Sequence, residues 1–121
     1  MGAQDGIRPG LEYRIERVVD ERLITRHVGG NGVFATPAMI GLMEGAAHKA
    51  VDGLVPEGQT TVGYEVHVRH LAPAAPGSTV VVTARLTEVK GNRLYFDVFC
   101  HLGDKLIGTG THKRAIVPAD F

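Results

Sequence analysis

The chain has 121 residues, of which 44% are hydrophobic, and its 13 basic residues balance its 13 acidic ones. This length suits a single domain with a real core, and the balanced charge excludes a general field that would attract nucleic acid or a membrane surface. The single cysteine, Cys100, falls within an alternating pattern, so we interpret it as a packing residue in a reducing compartment. No secretory leader and no membrane-spanning apolar run is found. We expect one domain over residues 1–121 in a soluble, cytoplasmic protein.

The N-terminal part predicts one strand and a loop. Residues 11–19 alternate between apolar and charged side chains, which indicates a half-buried strand. Its inward face carries Leu11, Tyr13, Ile15 and Val19. The segment 20–32 ends in the run GGNG and is interpreted as a flexible connection. A glycine-rich loop before a helix can cradle phosphate, but the phosphate-binding motifs GxGxxG and GxxxxGK[ST] are absent, so a plain loop is favoured.

Residues 33–54 contain the only long helical pattern in the sequence. Apolar residues recur there in steps of three and four, which defines one buried helix face. Thr36 lies where an N-cap residue belongs, and Pro37 lies at the first helical position, where its missing N–H costs nothing. Gly53 and Pro56 mark the end. Glu44 lies about 100° around the helix from Met43, so its carboxylate borders the buried face.

The C-terminal half predicts four strands. Residues 61–71 alternate, and one face carries Val62, Tyr64, Val66, Val68 and His70. Three further strands are predicted at 79–90, 93–102 and 105–117. The dipeptides Gly91-Asn92 and Gly103-Asp104 between them are typical of tight antiparallel hairpins. Glycines at 108 and 110 predict bulges or bends in the last strand.

This order of strand, helix and four strands predicts an α+β protein with a mainly antiparallel sheet rather than βαβ units. One helix of about 17 residues must serve about five strands, and a curved sheet wrapped around a single helix describes the hotdog fold. The uncovered sheet edge is normally covered by a second copy, so we expect a homodimer and leave a tetramer open.

Three segments together resemble a known family. The run VFATPAMIGLMEGAA, followed by TVGYEVHVRHLAPAAPG and GTGTHKRAIV, is similar to the hotdog acyl-CoA thioesterases related to fluoroacetyl-CoA thioesterase, over residues 33–117. The resemblance implies a cleft at a dimer interface in which thioester hydrolysis depends on Thr36, Glu44 and His70. It also implies that Gly63 lines the acyl or coenzyme site and that Arg114 lies near the coenzyme A entrance.

The segment before VFAT departs from the family pattern. It is short and glycine-rich here, HVGGNG, whereas the fluoroacetyl enzyme has a longer segment with phenylalanines that cover the acyl pocket. Phe34 is the aromatic residue that remains close by, so it is our candidate for contact with the acyl group. Pro37 and Gly45 replace a glycine and a tryptophan of that enzyme. The resemblance therefore implies thioesterase chemistry and leaves the acyl group open.

These residue types suit thioester hydrolysis, which needs an activated water or acyl acceptor and a stabilised oxyanion. The helix start offers backbone N–H donors from Ala38 onward. Glu44 could act as a general base or attack directly to give a mixed anhydride. His70 could orient Glu44, hold the water or protonate the leaving sulfur. Thr36 and Glu44 are eight residues apart, about 12 Å on a helix, so we favour partners from different subunits.

Each candidate also has a simpler structural interpretation. Thr36 is explained as an N-cap alone, and Glu44 as a partner of His48 one helical turn away. His70 is explained as a strand-end histidine with its hydrogen bonds satisfied, and Arg114 as a solvated strand charge.

Other functions and ligands are less favoured by the residues. The main alternative is a non-catalytic hotdog module that binds acyl-CoA or a small hydrophobic ligand. A hydratase is disfavoured because its helical Asp and His pair is absent, and Glu44 with His48 is a poor substitute. No metal is expected, because no pair of possible ligands has the spacing of an HExxH or a CxxC motif. No cofactor is expected, because coenzyme A is part of the substrate, and neither nucleic acid nor a membrane is expected as a partner.

Overall fold

The computed structural model describes residues 6–120, and its main elements lie in the predicted order. The first part contains β1 (Glu12–Val18), a 3-10 turn (Glu21–Leu23), β2 (Ile24–Thr25) and β3 (Val33–Phe34). The single long helix, α1 (Thr36–Val51), continues into a 3-10 turn at Asp52–Leu54. The remaining strands are β4 (Gln59–His70), β5 (Thr79–Lys90), β6 (Arg93–Leu102) and β7 (Lys105–Pro118).

Five strands form one antiparallel sheet in the order β1-β5-β6-β7-β4, and α1 packs against it. This is the predicted α+β arrangement of one helix on a curved sheet. The sheet ends at β1 on one side and at β4 on the other. Because β4 is an edge strand, one of its sides has no strand partner within the described chain, and its backbone groups there are free to pair with a second chain.

The core lies between the apolar face of α1 and the inward faces of the central strands. Met39, Met43 and Val51 of α1 are fully buried, and so are the alternating residues Val80 to Leu86 of β5 and Leu94 to Cys100 of β6. Each such large apolar side chain contributes about 1.5–3 kcal/mol by leaving water. Burial raises the pKa of the Cys100 thiol to about 11, so the thiol stays protonated and serves packing, as predicted.

Both predicted two-residue hairpins are present. Lys90 pairs with Arg93 across the first turn and Leu102 pairs with Lys105 across the second. In each turn only the leading glycine has a positive φ, 59° at Gly91 and 60° at Gly103, which is the pattern of a type II′ turn. These tight turns keep β5, β6 and β7 in one continuous meander.

The structure differs from the sequence prediction in the exposed faces of β1 and β4 and in the segment 20–32. Tyr13 on β1 is 41% exposed rather than inward. On β4 the register shifts between Gly63 and Glu65, and this bulge together with the edge position leaves Tyr64 and Val66 exposed. The segment 20–32 is more than a plain connection, because β2 and β3 pair across it. Two-residue strands are too short to produce a recognisable alternation.

The start of α1 also differs from the prediction. Ala35 occupies the N-cap position with extended φ and ψ of −76° and 137°, no side chain caps the helix, and Thr36 is already helical. The N-cap assignment of Thr36 is therefore wrong, and Pro37 lies one position further into the helix than predicted. The physical reason is that the Thr36 hydroxyl bonds to His70, 34 residues away, instead of to its own first turn.

Replacing the true N-cap should stabilise the helix. Ala35→Ser should raise the free energy of unfolding by about 0.5–1 kcal/mol, because a serine hydroxyl can accept an orphan N–H of the first turn. Thr36→Ser is the matched control and should leave stability unchanged. Chemical denaturation measures both. No gain from Ala35→Ser would contradict the assignment of Ala35 as the N-cap.

Candidate active site

Thr36 and His70 form a hydrogen-bonded pair where the start of α1 meets the end of β4. Thr36 Oγ1 lies 2.8 Å from His70 Nδ1. The edge of the His70 ring faces Phe34, with ring centroids 6.0 Å apart and planes at 81°. His70 Nε2 is buried and has no hydrogen-bond partner within residues 6–120. A buried ring nitrogen without a partner leaves one strong donor or acceptor for a bound molecule.

An open groove of about 700 Å³ lies beside this pair. Its walls are mainly apolar and include Val33, Phe34 and Pro73, while Thr36 and His70 supply polar groups. Such a surface suits an apolar group that carries one polar reacting centre. The structure therefore places Phe34 beside the pair, as the prediction of an acyl contact requires.

Burial favours the neutral form of His70. Burial lowers the pKa of His70 below its ordinary value of 6.5. A hydrogen bond with the backbone of Ala72 raises the pKa, but by less than burial lowers it. If the Thr36 hydroxyl donates to Nδ1, then Nε2 carries the proton and can donate it. If Nδ1 carries the proton, then Nε2 is a free base. In both tautomers the unpartnered nitrogen can act in proton transfer.

Glu44, Gly63 and Arg114 form a second cluster elsewhere on β4. A Cβ atom added to Gly63 would lie 3.2 Å from Glu44 Oε2, 3.1 Å from Arg114 Nη1 and 2.8 Å from His112 Cε1. Any side chain at position 63 would fill the space on which these three groups converge. Gly63 is thus a close-approach glycine rather than a turn residue.

Arg114 is buried, with 7% of its surface exposed, and three hydrogen bonds hold it. Its Nε donates to Thr61 Oγ1 at 3.0 Å, and its Nη2 donates to the Thr61 carbonyl at 2.9 Å. Its Nη1 donates to His112 Nε2 at 3.1 Å. Burial lowers the pKa of Arg114, and the nearby charge of Glu44 opposes that change. A buried guanidinium needs such partners to offset its lost hydration.

A single chain keeps the two clusters apart. Glu44 lies beside Gly63, whereas Thr36 lies beside His70, and positions 63 and 70 on β4 are seven residues apart. An extended strand covers about 23 Å over seven residues. The structure therefore brings Thr36 together with His70, and Glu44 together with Gly63 and Arg114, but does not join the two groups.

Two of the simpler interpretations do not match the contacts. His48 bonds to Thr61 Oγ1 at 3.1 Å and lies 3.4 Å from Asp52, so it does not pair with Glu44. Arg114 is buried rather than solvated. Thr61 and His112 belong to the second cluster but were not predicted. The signal for His112 was its position two residues before Arg114, which places both on one face of β7.

Neither a metal cluster nor a membrane-spanning helix occurs in the described part of the chain. Within residues 6–120, no group of three or more His, Cys, Asp or Glu side chains is arranged to hold a metal ion. No helix in that same range is long and apolar enough to cross a membrane.

Comparisons with known proteins identify the family. A family model described as fluoroacetyl-CoA-specific thioesterase matches residues 18–120. The chain is 38% identical over 122 residues to fluoroacetyl-CoA thioesterase from Streptantibioticus cattleyicolor, covering 94% of this chain and 88% of that protein.

Solved structures extend the comparison to the fold. A mutant fluoroacetyl-CoA-specific thioesterase in complex with fluoroacetate and CoA superposes with a TM-score of 0.86, at 36% identity over 94% of this chain and 98% of that one. A hot-dog-like protein from Thermanaerovibrio acidaminovorans gives a TM-score of 0.90 at 25% identity, over 99% and 90% of the two chains. The predicted hotdog fold is confirmed. The chain belongs to the fluoroacetyl-CoA-specific thioesterase family and is a thioester hydrolase.

Proposed function

We propose that the protein hydrolyses a small, apolar acyl group carried on coenzyme A, releasing the free acid and coenzyme A. The observation that carries this proposal is the Thr36–His70 pair, whose buried Nε2 has no partner among the described residues, in the wall of an apolar groove. The family relative solved with fluoroacetate and CoA supports the coenzyme part. No cofactor is required, because the coenzyme belongs to the substrate.

In this proposal Glu44 supplies the attacking group by one of two routes. As a general base, its carboxylate takes a proton from a water that attacks the acyl carbon. As a nucleophile, it attacks that carbon itself, the thiolate leaves, and water then hydrolyses the mixed anhydride. Within the described residues, no partner lies within hydrogen-bonding or ion-pairing distance of the Glu44 carboxylate. Its oxygen lone pairs are therefore available for either route.

Thr36, His70 and the first turn of α1 would act on the acyl carbonyl. When His70 Nδ1 carries the proton and donates to the Thr36 oxygen, the Thr36 hydroxyl can donate to the developing oxyanion. The Ala38 N–H can donate beside it, whereas the next N–H of the helix, that of Met39, already donates to the Ala35 carbonyl. In that tautomer His70 Nε2 is an acceptor and can hold the water; in the other tautomer, in which Thr36 donates to Nδ1, Nε2 can pass a proton to the leaving sulfur. A thiolate is a good leaving group, so the oxyanion and the attacking oxygen are the two charges that need support.

A homodimer would unite the two clusters. The outer side of β4 is free within the described chain, and Tyr64 and Val66 are exposed along it. Antiparallel pairing of two β4 strands about a two-fold axis through residue 67 would set His70 of one copy opposite Tyr64, the neighbour of Gly63, of the other. Each site would then combine the Thr36–His70 pair of one subunit with the Glu44 cluster of the other.

The hydrolysis itself is tested by coenzyme A release from a panel of acetyl-, fluoroacetyl-, butyryl-, phenylacetyl- and crotonyl-CoA. We expect turnover on at least one saturated thioester, and Glu44→Gln should lower kcat by at least about a hundredfold, because a general base contributes that much. Equal melting temperatures are the control for folding.

The same panel separates the alternatives. Saturable binding without coenzyme A release would favour a non-catalytic acyl-CoA module. Hydration of crotonyl-CoA without hydrolysis would indicate a hydratase. Unchanged turnover in Glu44→Gln would remove Glu44 from the chemistry.

The composite site predicts that two inactive variants complement each other. Glu44→Gln and His70→Ala should each be inactive alone. After co-refolding in equal amounts, half of the dimers are mixed and each has one intact site, so about a quarter of wild-type activity should return. A mixture that stays inactive, while each variant forms dimers of native mass, would contradict sites shared between subunits.

A further inference from the structure

Arg114 and Glu44 carry opposite charges beside Gly63, yet they are not ion-paired. Glu44 Oε2 and Arg114 Nη1 lie 3.2 Å and 3.1 Å from the same point, the Cβ direction of Gly63. Within the described part of the chain, no ion pair of 4.0 Å or less joins the two side chains. A buried guanidinium and a neighbouring carboxylate ordinarily close into a bidentate pair. Other contacts of the Arg114 guanidinium must therefore keep it away from the Glu44 carboxylate.

His112 is one of the groups that hold the guanidinium. Its ring is 1% exposed, and its Nδ1 lies 2.9 Å from the carbonyl oxygen of Glu65. A carbonyl only accepts, so Nδ1 carries the proton, and Nε2 is then free to accept from Arg114. The ring is therefore neutral with a defined tautomer. Burial lowers the pKa of His112, in agreement with a neutral ring.

Thr61 holds the opposite edge of the same guanidinium. Its hydroxyl and its carbonyl oxygen both accept from Arg114. Since the hydroxyl already accepts, its own proton is available to His48 Nδ1, 3.1 Å away. Arg114 is thus held on one side by Thr61 and on the other by His112. Among residues 6–120, His112 is the one acceptor bonded to Nη1, the nitrogen closest to the space over Gly63.

We propose that His112 is a positioning residue that keeps the Arg114 guanidinium from closing a direct ion pair on Glu44. This inference rests on the proposed function, because it assigns His112 a role in keeping the Glu44 carboxylate open to water or to the acyl carbon. The guanidinium still supplies positive charge nearby. Without the Nε2 acceptor, Nη1 loses its partner, and the planar guanidinium pivots as a unit on its Thr61 contacts toward Glu44 and occupies the oxygens that the reaction needs.

Two substitutions separate this role from simple packing. His112→Phe keeps a ring but removes the acceptor, and it should lower kcat about tenfold while KM changes less than about threefold. His112→Gln places an amide oxygen near the Nε2 position and should restore kcat to within about threefold of wild type. If both folded variants lose activity equally, the acceptor is not what matters and the proposal fails. His112→Leu replaces His112→Phe if the latter does not fold.

A double-mutant cycle tests whether His112 acts through Arg114. In an Arg114→Met chain, which has no donor at this position, adding His112→Phe should change kcat by less than about twofold, because the bond that it removes is already gone. A further tenfold loss would show an independent effect and overturn the proposal.

A crystal structure of His112→Phe gives a readout that does not depend on turnover. We expect Arg114 within about 3 Å of a Glu44 oxygen, as in a direct ion pair. An unmoved guanidinium overturns the proposal even if activity falls. If the wild-type protein hydrolyses no acyl-CoA, the proposed function fails, and this structure still decides whether His112 keeps the two charges apart.

Discussion

The extended conformation of β4 is the constraint on which the site depends. This strand carries Gly63 near one end and His70 at the other, and each marks the position of one polar cluster. Because the strand is extended, Gly63 and His70 lie about 23 Å apart. The helix α1 also keeps two candidate residues apart, because Thr36 and Glu44 are separated by more than two turns. Within one subunit, the pair at the groove and the open carboxylate remain in separate places.

The edge position of β4 offers a way to overcome this separation. An edge strand presents unpaired backbone groups, and in the proposed homodimer a second copy would satisfy them with two-fold symmetry. The same pairing would place the clusters of two subunits opposite each other. The unpaired edge of β4, which would make an isolated chain prone to association, would then also complete the active site.

Electrostatics in the second cluster follow from packing. Because Gly63 has no side chain, Glu44, His112 and Arg114 converge on one small space. Three hydrogen bonds offset the cost of burying the guanidinium, and two of them come from Thr61. The neutral tautomer of His112 follows in turn from the Glu65 carbonyl. The charge beside Glu44 is therefore held by buried groups rather than by mobile surface groups.

Periodicity was sufficient to predict the helix, the five main strands, both hairpins and the inward faces of β5 and β6, because these depend on local repeats. It failed where a distant group decides the outcome. The Thr36 hydroxyl matched N-cap logic in the sequence, but its partner lies on a strand 34 residues away. The bulge at Gly63 changed which residues of β4 face outward. Thr61 became visible only when β4 and β7 were paired.

A site shared between two subunits is tested most directly by a crystal structure with an acyl-CoA analogue in which a methylene group replaces the thioester sulfur. We expect a dimer in which the analogue's carbonyl contacts Thr36 and His70 of one protomer and lies beside the Glu44 carboxylate of the other. A carbonyl bound far from the Thr36–His70 pair, or one approached by no Glu44 from either subunit, would contradict the shared site.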